Sequence, residues 1–250
     1  MILEVCCGNI PSVRAAIQGG AHRIELCRDL EQDGMTPDAQ MISQAIALCH
    51  PAGIPVHVLI RPRAGDFVYT AEEIRQILAD ISTSVQLGAD GIVIGALTTD
   101  GDIDLQQTRQ MIQHARQSGR QVSITFHRAF DVCRNPLQAL DQIASLGCNR
   151  ILSSGQQPTA QQGIPLLREL VCAARGRITI LCGAGVNPHN AAQILHQTGA
   201  TELHGSLRTG TVTDPTQVRL LLDNIEKAGL IDHESIESDE LLQKHRKPPF

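Results

Sequence analysis

Apolar residues recur along this chain in short alternating runs, each followed by a longer stretch of helical periodicity. Strands are predicted at 2–6, 23–27, 56–61, 91–94, 122–127, 150–153, 178–182 and 202–204. Helices are predicted at 11–19, 37–48, 71–87, 104–117, 135–146, 159–174, 187–197 and 214–228. Strands alternating with helices imply a parallel sheet, and eight such units close as a single (β/α)8 barrel of the α/β class. An open doubly wound sheet would carry a glycine-rich phosphate loop after its first strand. Cys7-Gly8-Asn9 does not fit that loop.

Local punctuation agrees with this period. A glycine precedes nearly every strand, as in GAHRIEL (20–26), GADGIVI (88–94), GCNRILS (147–153) and GATELHG (199–205). A helix ends well on a left-handed residue, which glycine adopts without a Cβ penalty. Thr36-Pro37, Asn135-Pro136, Asn187-Pro188 and Asp214-Pro215 read as helix starts. The barrel is expected over 1–228, with 229–250 a charged tail or accessory helix.

Strand parity assigns the interior. If the apolar-rich face meets the helices, then Glu4, Cys6, Glu25, Cys27, His57, Leu59, Arg61, Ser123, Thr125, His127, Glu202 and His204 point inward. A barrel core is ordinarily branched aliphatic. Three Glu, three His and an Arg must therefore pair with one another, bind a ligand or shift their pKa values. Taken singly, each carboxylate fits a paired polar plug low in the barrel; taken together, the set reads as a functional cavity.

The stretch QVSITFHRAFD (121–131) runs from a buried strand into charge, and His127 ends it at the barrel mouth. His127 with Glu25 or Glu4 forms a candidate acid–base group, and Asp131 is placed to orient His127 or Arg128. Arg61 and Arg63, in a stiff Arg-Pro-Arg turn, suit an anion or the inward carboxylates, and His57 and His204 add polar inward positions. Gly183-Ala184-Gly185 before Asn187-Pro188, Gly205-Ser206 after the last strand, and Ser153 after the sixth form a candidate anion site.

Composition narrows the chemistry. The chain has 250 residues, 42% of them hydrophobic, and a net charge of −5 without a basic run, which disfavours nucleic-acid binding. The first lysine is Lys227, so imine chemistry in the barrel is excluded. The N-terminal stretch lacks the form of a signal peptide and no apolar run nears the ~20 residues of a membrane helix, so a cytoplasmic protein is expected. Eight cysteines without a Cys-x-x-Cys pair read mostly as reduced, buried residues. Cys6 and Cys27 end adjacent strands ~4.8 Å apart on the inward parity, which suits a soft ion such as Cu(I), zinc if His or Glu completes four ligands, or simply two small residues filling the barrel rim.

LEVCC (3–7), GGAHRIELC (19–27), GMTP (34–37), IPVHVLIRPRAGDFVY (54–69), TFHRAFDVCRNP (125–136), ILSSG (151–155) and GAGV (183–186) resemble the CutC family of copper homeostasis proteins. The resemblance implies a TIM-type barrel in the cytoplasm and copper handling through the cysteines at Cys6 and Cys27. One departure stands out. The resemblance also implies an added Met-Lys/Arg-aromatic-Arg-Asn stretch after the last strand, whereas this chain passes from Arg208 almost directly to Val212. Three roles stay open: a Cu(I)-binding protein, an enzyme acting on a small anionic or phosphorylated metabolite, and a scaffold for partners, including copies of itself.

Overall fold

The structure, a computed structural model, describes residues 1–117 and 119–244, with side chains through residue 229. Eight parallel strands form a closed barrel in sequential order. They are β1 (Ile2–Cys7), β2 (Arg23–Leu26), β3 (Val56–Leu59), β4 (Gly91–Ile94), β5 (Ser123–Phe126), β6 (Arg150–Ser153), β7 (Thr179–Cys182) and β8 (Glu202–Gly205). The helices are α1 (Ile10–Gly19), α2 (Ala39–Cys49), α3 (Ala71–Gln86), α4 (Leu105–Arg116), α5 (Pro136–Ser145), α6 (Ile164–Ala174), α7 (Ala191–Thr198) and α8 (Pro215–Lys244). The expected (β/α)8 barrel is the observed fold.

Each element forms for a local reason. Asn135 caps α5 by accepting from Gln138 N–H, with Pro136 at the first helical position. Thr70 and Glu73 form a reciprocal capping box on α3. Gly20 and Gly199 end α1 and α7 in the left-handed conformation. Outward residues such as Leu3, Ile24, Val58, Ile92, Ile124 and Leu203 are fully buried against the helices. Inside the barrel Cys6, Cys27, Leu59 and Val93 form a separate small apolar cluster.

Three boundaries differ from expectation. The cap of α2 is Asp38, not Thr36, because the Asp38 carboxylate accepts from Met41 N–H. The start of α6 is delayed to Ile164 by a turned segment in which Gly163 packs on the backbone of Ser154 and Gly155. Asn187-Pro188 does not open α7: Asn187 N–H is drawn to Asn190 Oδ1, and the helix starts at Ala191. After β8 the short connection folds as a hairpin of β9 (Arg208–Thr209) and β10 (Val212–Thr213). Residues 230–244 continue α8 in backbone, and 245–250 of the expected tail lie outside the described residues. Among the described residues no helix is long and apolar enough to cross a membrane.

Candidate functional site

The barrel floor is a polar plug. Arg23 bonds Glu4 through Nε and Glu202 through its terminal nitrogen. Arg150 Nε donates to the same Glu202 oxygen at 2.8 Å and Arg150 also donates to Ser123 Oγ at 2.6 Å. Glu4 is fully buried. Burial alone would raise its carboxyl pKa, yet Arg23 and the bond from His204 hold it well below the carboxylate range. His57 packs its ring on Gly91, where any Cβ would lie 2.4 Å from the ring. Burial pushes it down to about 4 despite Glu4, so it is neutral at pH 7.

Above the plug a cavity of about 510 Å³ opens at the C-terminal ends of the strands, where such barrels carry their sites. Cys6, Glu25 and His204 meet at its base. His204 Nδ1 lies 2.7 Å from Glu4 Oε1, and its Nε2 lies 3.8 Å from Glu25 Oε2. Burial opposes a charged ring, but Glu25, Cys6 and Glu4 raise the His204 pKa well above its ordinary value. Burial raises the Glu25 carboxyl, and nearby Glu4 adds to the effect. Cys6 Sγ donates to Glu25 Oε2 at 3.0 Å and lies 3.6 Å from Cys27 Sγ. The Cys27 contact, then burial, pushes the Cys6 thiol pKa up. Ligand atoms of Cys6, Cys27 and Glu25 all lie within 4.8 Å of one another, as do those of Glu4, Glu25 and His204. Both sets have metal-ligand chemistry and share Glu25.

One wall is made by β3, β5 and their loops. His127 Nδ1 accepts from Ala129 N–H at 3.1 Å, so the proton of the neutral ring is on Nε2. Burial, helped by Arg61, lowers its pKa to about 3. Phe67 packs on the ring with centroids 4.9 Å apart. Arg61 is buried over Phe67 and donates to the carbonyls of Gln32, Asp33, Gly34 and Gly65. It ties together the loops after β2 and β3. Opposite stand Ala184, Gly185, Val186, Gly205, Ser206 and Arg208. Asp33, Ala184 and Leu207 at this rim hold left-handed backbone without being glycine, a strain that concentrates at functional sites.

Of the residues anticipated from sequence, Cys6, Glu25, Arg61, His127, Asp131, Gly185, His204 and Ser206 line the cavity. Glu4, His57 and Glu202 lie beneath it, and Cys27 lies behind Cys6. Gly183 faces inward, but Leu152 Cδ1 and the His204 side chain occupy the space its side chain would need. Two placements are corrected. Arg63 turns away from the cavity and bonds Glu73, Asp66 and the Val68 carbonyl, bracing the loop before α3. Ser153 shares the outward parity of Ile151, and its hydroxyl donates to Asp131 at 2.6 Å. Asp131 orients Arg128 at 2.8 Å and accepts from Ser154 N–H, and it has no bond to His127. Arg23, Arg150 and Arg208 were not anticipated, whereas the expected Asp131–Arg128 pairing is present. Arg23 shares the parity of Glu25, and Arg150 that of Leu152, which was a legible signal.

The CutC family model matches residues 1–209. The chain belongs to the CutC family. A CutC protein of Pasteurella multocida is 49% identical over 204 residues, covering 82% of this chain and 81% of the relative. A CutC protein of Vibrio campbellii is 44% identical over 230 residues, with 92% and 90% covered. The crystal structure of a copper homeostasis protein CutC from Streptococcus agalactiae superposes with a TM-score of 0.78 at 33% identity, covering 82% of this chain and 98% of that one. A thiamine phosphate pyrophosphorylase from Pyrococcus furiosus, at 16% identity and a TM-score of 0.60, shares the fold alone; it covers 91% of this chain and 96% of its own.

Proposed function

We propose that this protein handles copper in the cytoplasm by taking up Cu(I) between Cys6 and Cys27. The observation that carries this reading is the 3.6 Å separation of the two Sγ atoms beside the Glu25 carboxylate. Metal–thiolate bonds of about 2.3 Å reach across sulfurs up to ~4.6 Å apart, so the pair needs little movement. Thiolates are soft donors and favour Cu(I) over hard cations. Uptake replaces two thiol protons by one Cu⁺; Glu25, already the acceptor of the Cys6 hydrogen bond, is the nearest base for one of them, and the other leaves to solvent through the cavity. The membership in the CutC family, and the copper homeostasis function named for the Streptococcus relative, support the assignment. Cu(I) titration of the reduced protein tests it. One equivalent should bind tightly and be lost in the Cys6→Ser, Cys27→Ser double variant; equal stoichiometry and affinity in both would overturn the reading.

A second reading is favoured by the cavity itself, whose 510 Å³ far exceeds the space an ion needs and matches a small organic ligand. Here the protein is an enzyme acting on a small anion. Glu25 and His204 are its acid–base pair, and neutral His127 donates a hydrogen bond through Nε2 instead of accepting a proton. A thermal-shift screen of small carboxylates and phosphate esters tests this, because a ligand of the folded state raises the unfolding midpoint. No shift with any compound would count against it.

A further inference from the structure

Two features of the cavity are not explained by copper. The first is a pair of buried N–H donors with no acceptor. His127 Nε2 and Arg61 Nε are both without a hydrogen-bond partner. Both residues are about 4% exposed and both line the cavity. Nearly all buried donors are bonded, so two orphans in one cavity wall are suited to an acceptor that a ligand brings. They cannot satisfy each other, since both carry hydrogen.

The second feature is the turn after β7. The Ala184 carbonyl accepts from Ala160 N–H at 2.9 Å. The Gly185 carbonyl accepts from Asn190 Nδ2 at 2.9 Å and Asn187 Nδ2 at 3.1 Å. In a planar trans peptide the next N–H points opposite to the carbonyl. With both carbonyls bonded into the protein, Gly185 N–H and Val186 N–H turn the other way, on residues that line the cavity. Among the described residues neither N–H has an acceptor in the chain. Across the rim, Arg208 lines the same cavity and has no carboxylate partner among the described residues. The hairpin of β9 and β10 sets Arg208 two residues beyond Ser206, a position the short connection after β8 makes available.

We infer that the rim between β7 and β8 is a phosphate subsite for a small phosphate monoester. Gly185 N–H, Val186 N–H and the Arg208 guanidinium hold its phosphate, and His127 Nε2 and Arg61 Nε take an oxygen on the same molecule. The inference rests on the second reading above, that the cavity holds a small ligand, and it names the class of that ligand. Backbone N–H groups and a guanidinium suit the three terminal oxygens of a phosphate. The two orphan donors suit a carbonyl oxygen, which has two lone pairs. The base of the cavity, with Glu25, His204 and Cys6, then lies next to the carbon skeleton of the ligand.

Calorimetric titration of the full chain at fixed ionic strength tests this with inorganic phosphate, dihydroxyacetone phosphate, unphosphorylated dihydroxyacetone and malonate. Inorganic phosphate should bind saturably, and dihydroxyacetone phosphate at least about tenfold more tightly. Arg208→Gln, at an exposed position that leaves the fold intact, should weaken both phosphates about tenfold or more. His127→Gln should weaken dihydroxyacetone phosphate more than inorganic phosphate. Absence of saturable binding by either phosphate, or wild-type affinity in Arg208→Gln, overturns the inference. If malonate or dihydroxyacetone binds while the phosphates do not, the phosphate subsite falls and the ligand cavity stands. If nothing binds, both fall.

Discussion

Arg23 and Glu202 form a buried ion pair across 179 positions of the chain, and the same guanidinium also holds Glu4. The pair closes the barrel floor between β2 and β8. Replacing Arg23 by Met leaves two buried carboxylates short of their cation. Breaking a buried pair from one side costs about 3–5 kcal/mol, whereas replacing both sides costs far less. Arg23→Met should therefore lose stability on that scale in urea unfolding at pH 7. A loss under about 1 kcal/mol would show that Arg150 and His204 carry the floor without it.

Acid should weaken the fold through His57 and His127. Their folded pKa values are depressed to about 4 and about 3, while an unfolded histidine titrates near 6.5. Between those limits the unfolded chain binds more protons, so stability is full above the unfolded value and falls as pH drops below it. By pH 5 each histidine should cost about 2 kcal/mol. Urea midpoints at pH 7 and pH 5 check this, and His57→Gln should shrink the difference. An unchanged difference in that variant would argue against a buried neutral His57.

Thiol reactivity should single out one cysteine. Cys172 is exposed, and the other seven cysteines are buried. A disulfide reagent added to the native protein should consume about one thiol quickly and the rest only with unfolding. Cys172→Ser should remove the fast phase. Survival of that phase would mean that the Cys6–Cys27 pair is open to reagents of that size.

Gly163 should tolerate no side chain. A Cβ there would lie 1.8 Å from the Ser154 carbonyl oxygen, and backbone cannot step aside as a flexible side chain can. Gly163→Ala should cost about 3 kcal/mol or more and disturb the Ser154–Asp131 bonds beside the cavity. Gly119→Ala, at a left-handed position with open space around it, should cost only about 1 kcal/mol. Thermal midpoints of the two variants compare them directly; equal losses would contradict this packing.

The barrel was legible in the chain because its causes are local. A strand repeats every two residues and a helix every 3.6, and Asn135, Thr70, Gly20 and Gly199 punctuate them within a few positions. Strand parity alone also turned Glu4, Glu25, His57, His127 and His204 inward. It did not say which of them pair. Glu4 meets His204 from 200 positions away, and Arg23 meets Glu202, only because closure brings β8 beside β1. That closure places Glu4 and Glu202 in a floor and leaves Glu25 facing the cavity. Likewise Arg63 and Ser153 sit at the right sequence positions for a rim. Their direction was decided by Glu73 and Asp131, partners that only the folded loops supply. Periodicity sets which face a residue takes, and the choice among partners on that face belongs to the tertiary structure, because strand closure and loop folding set the distances between them.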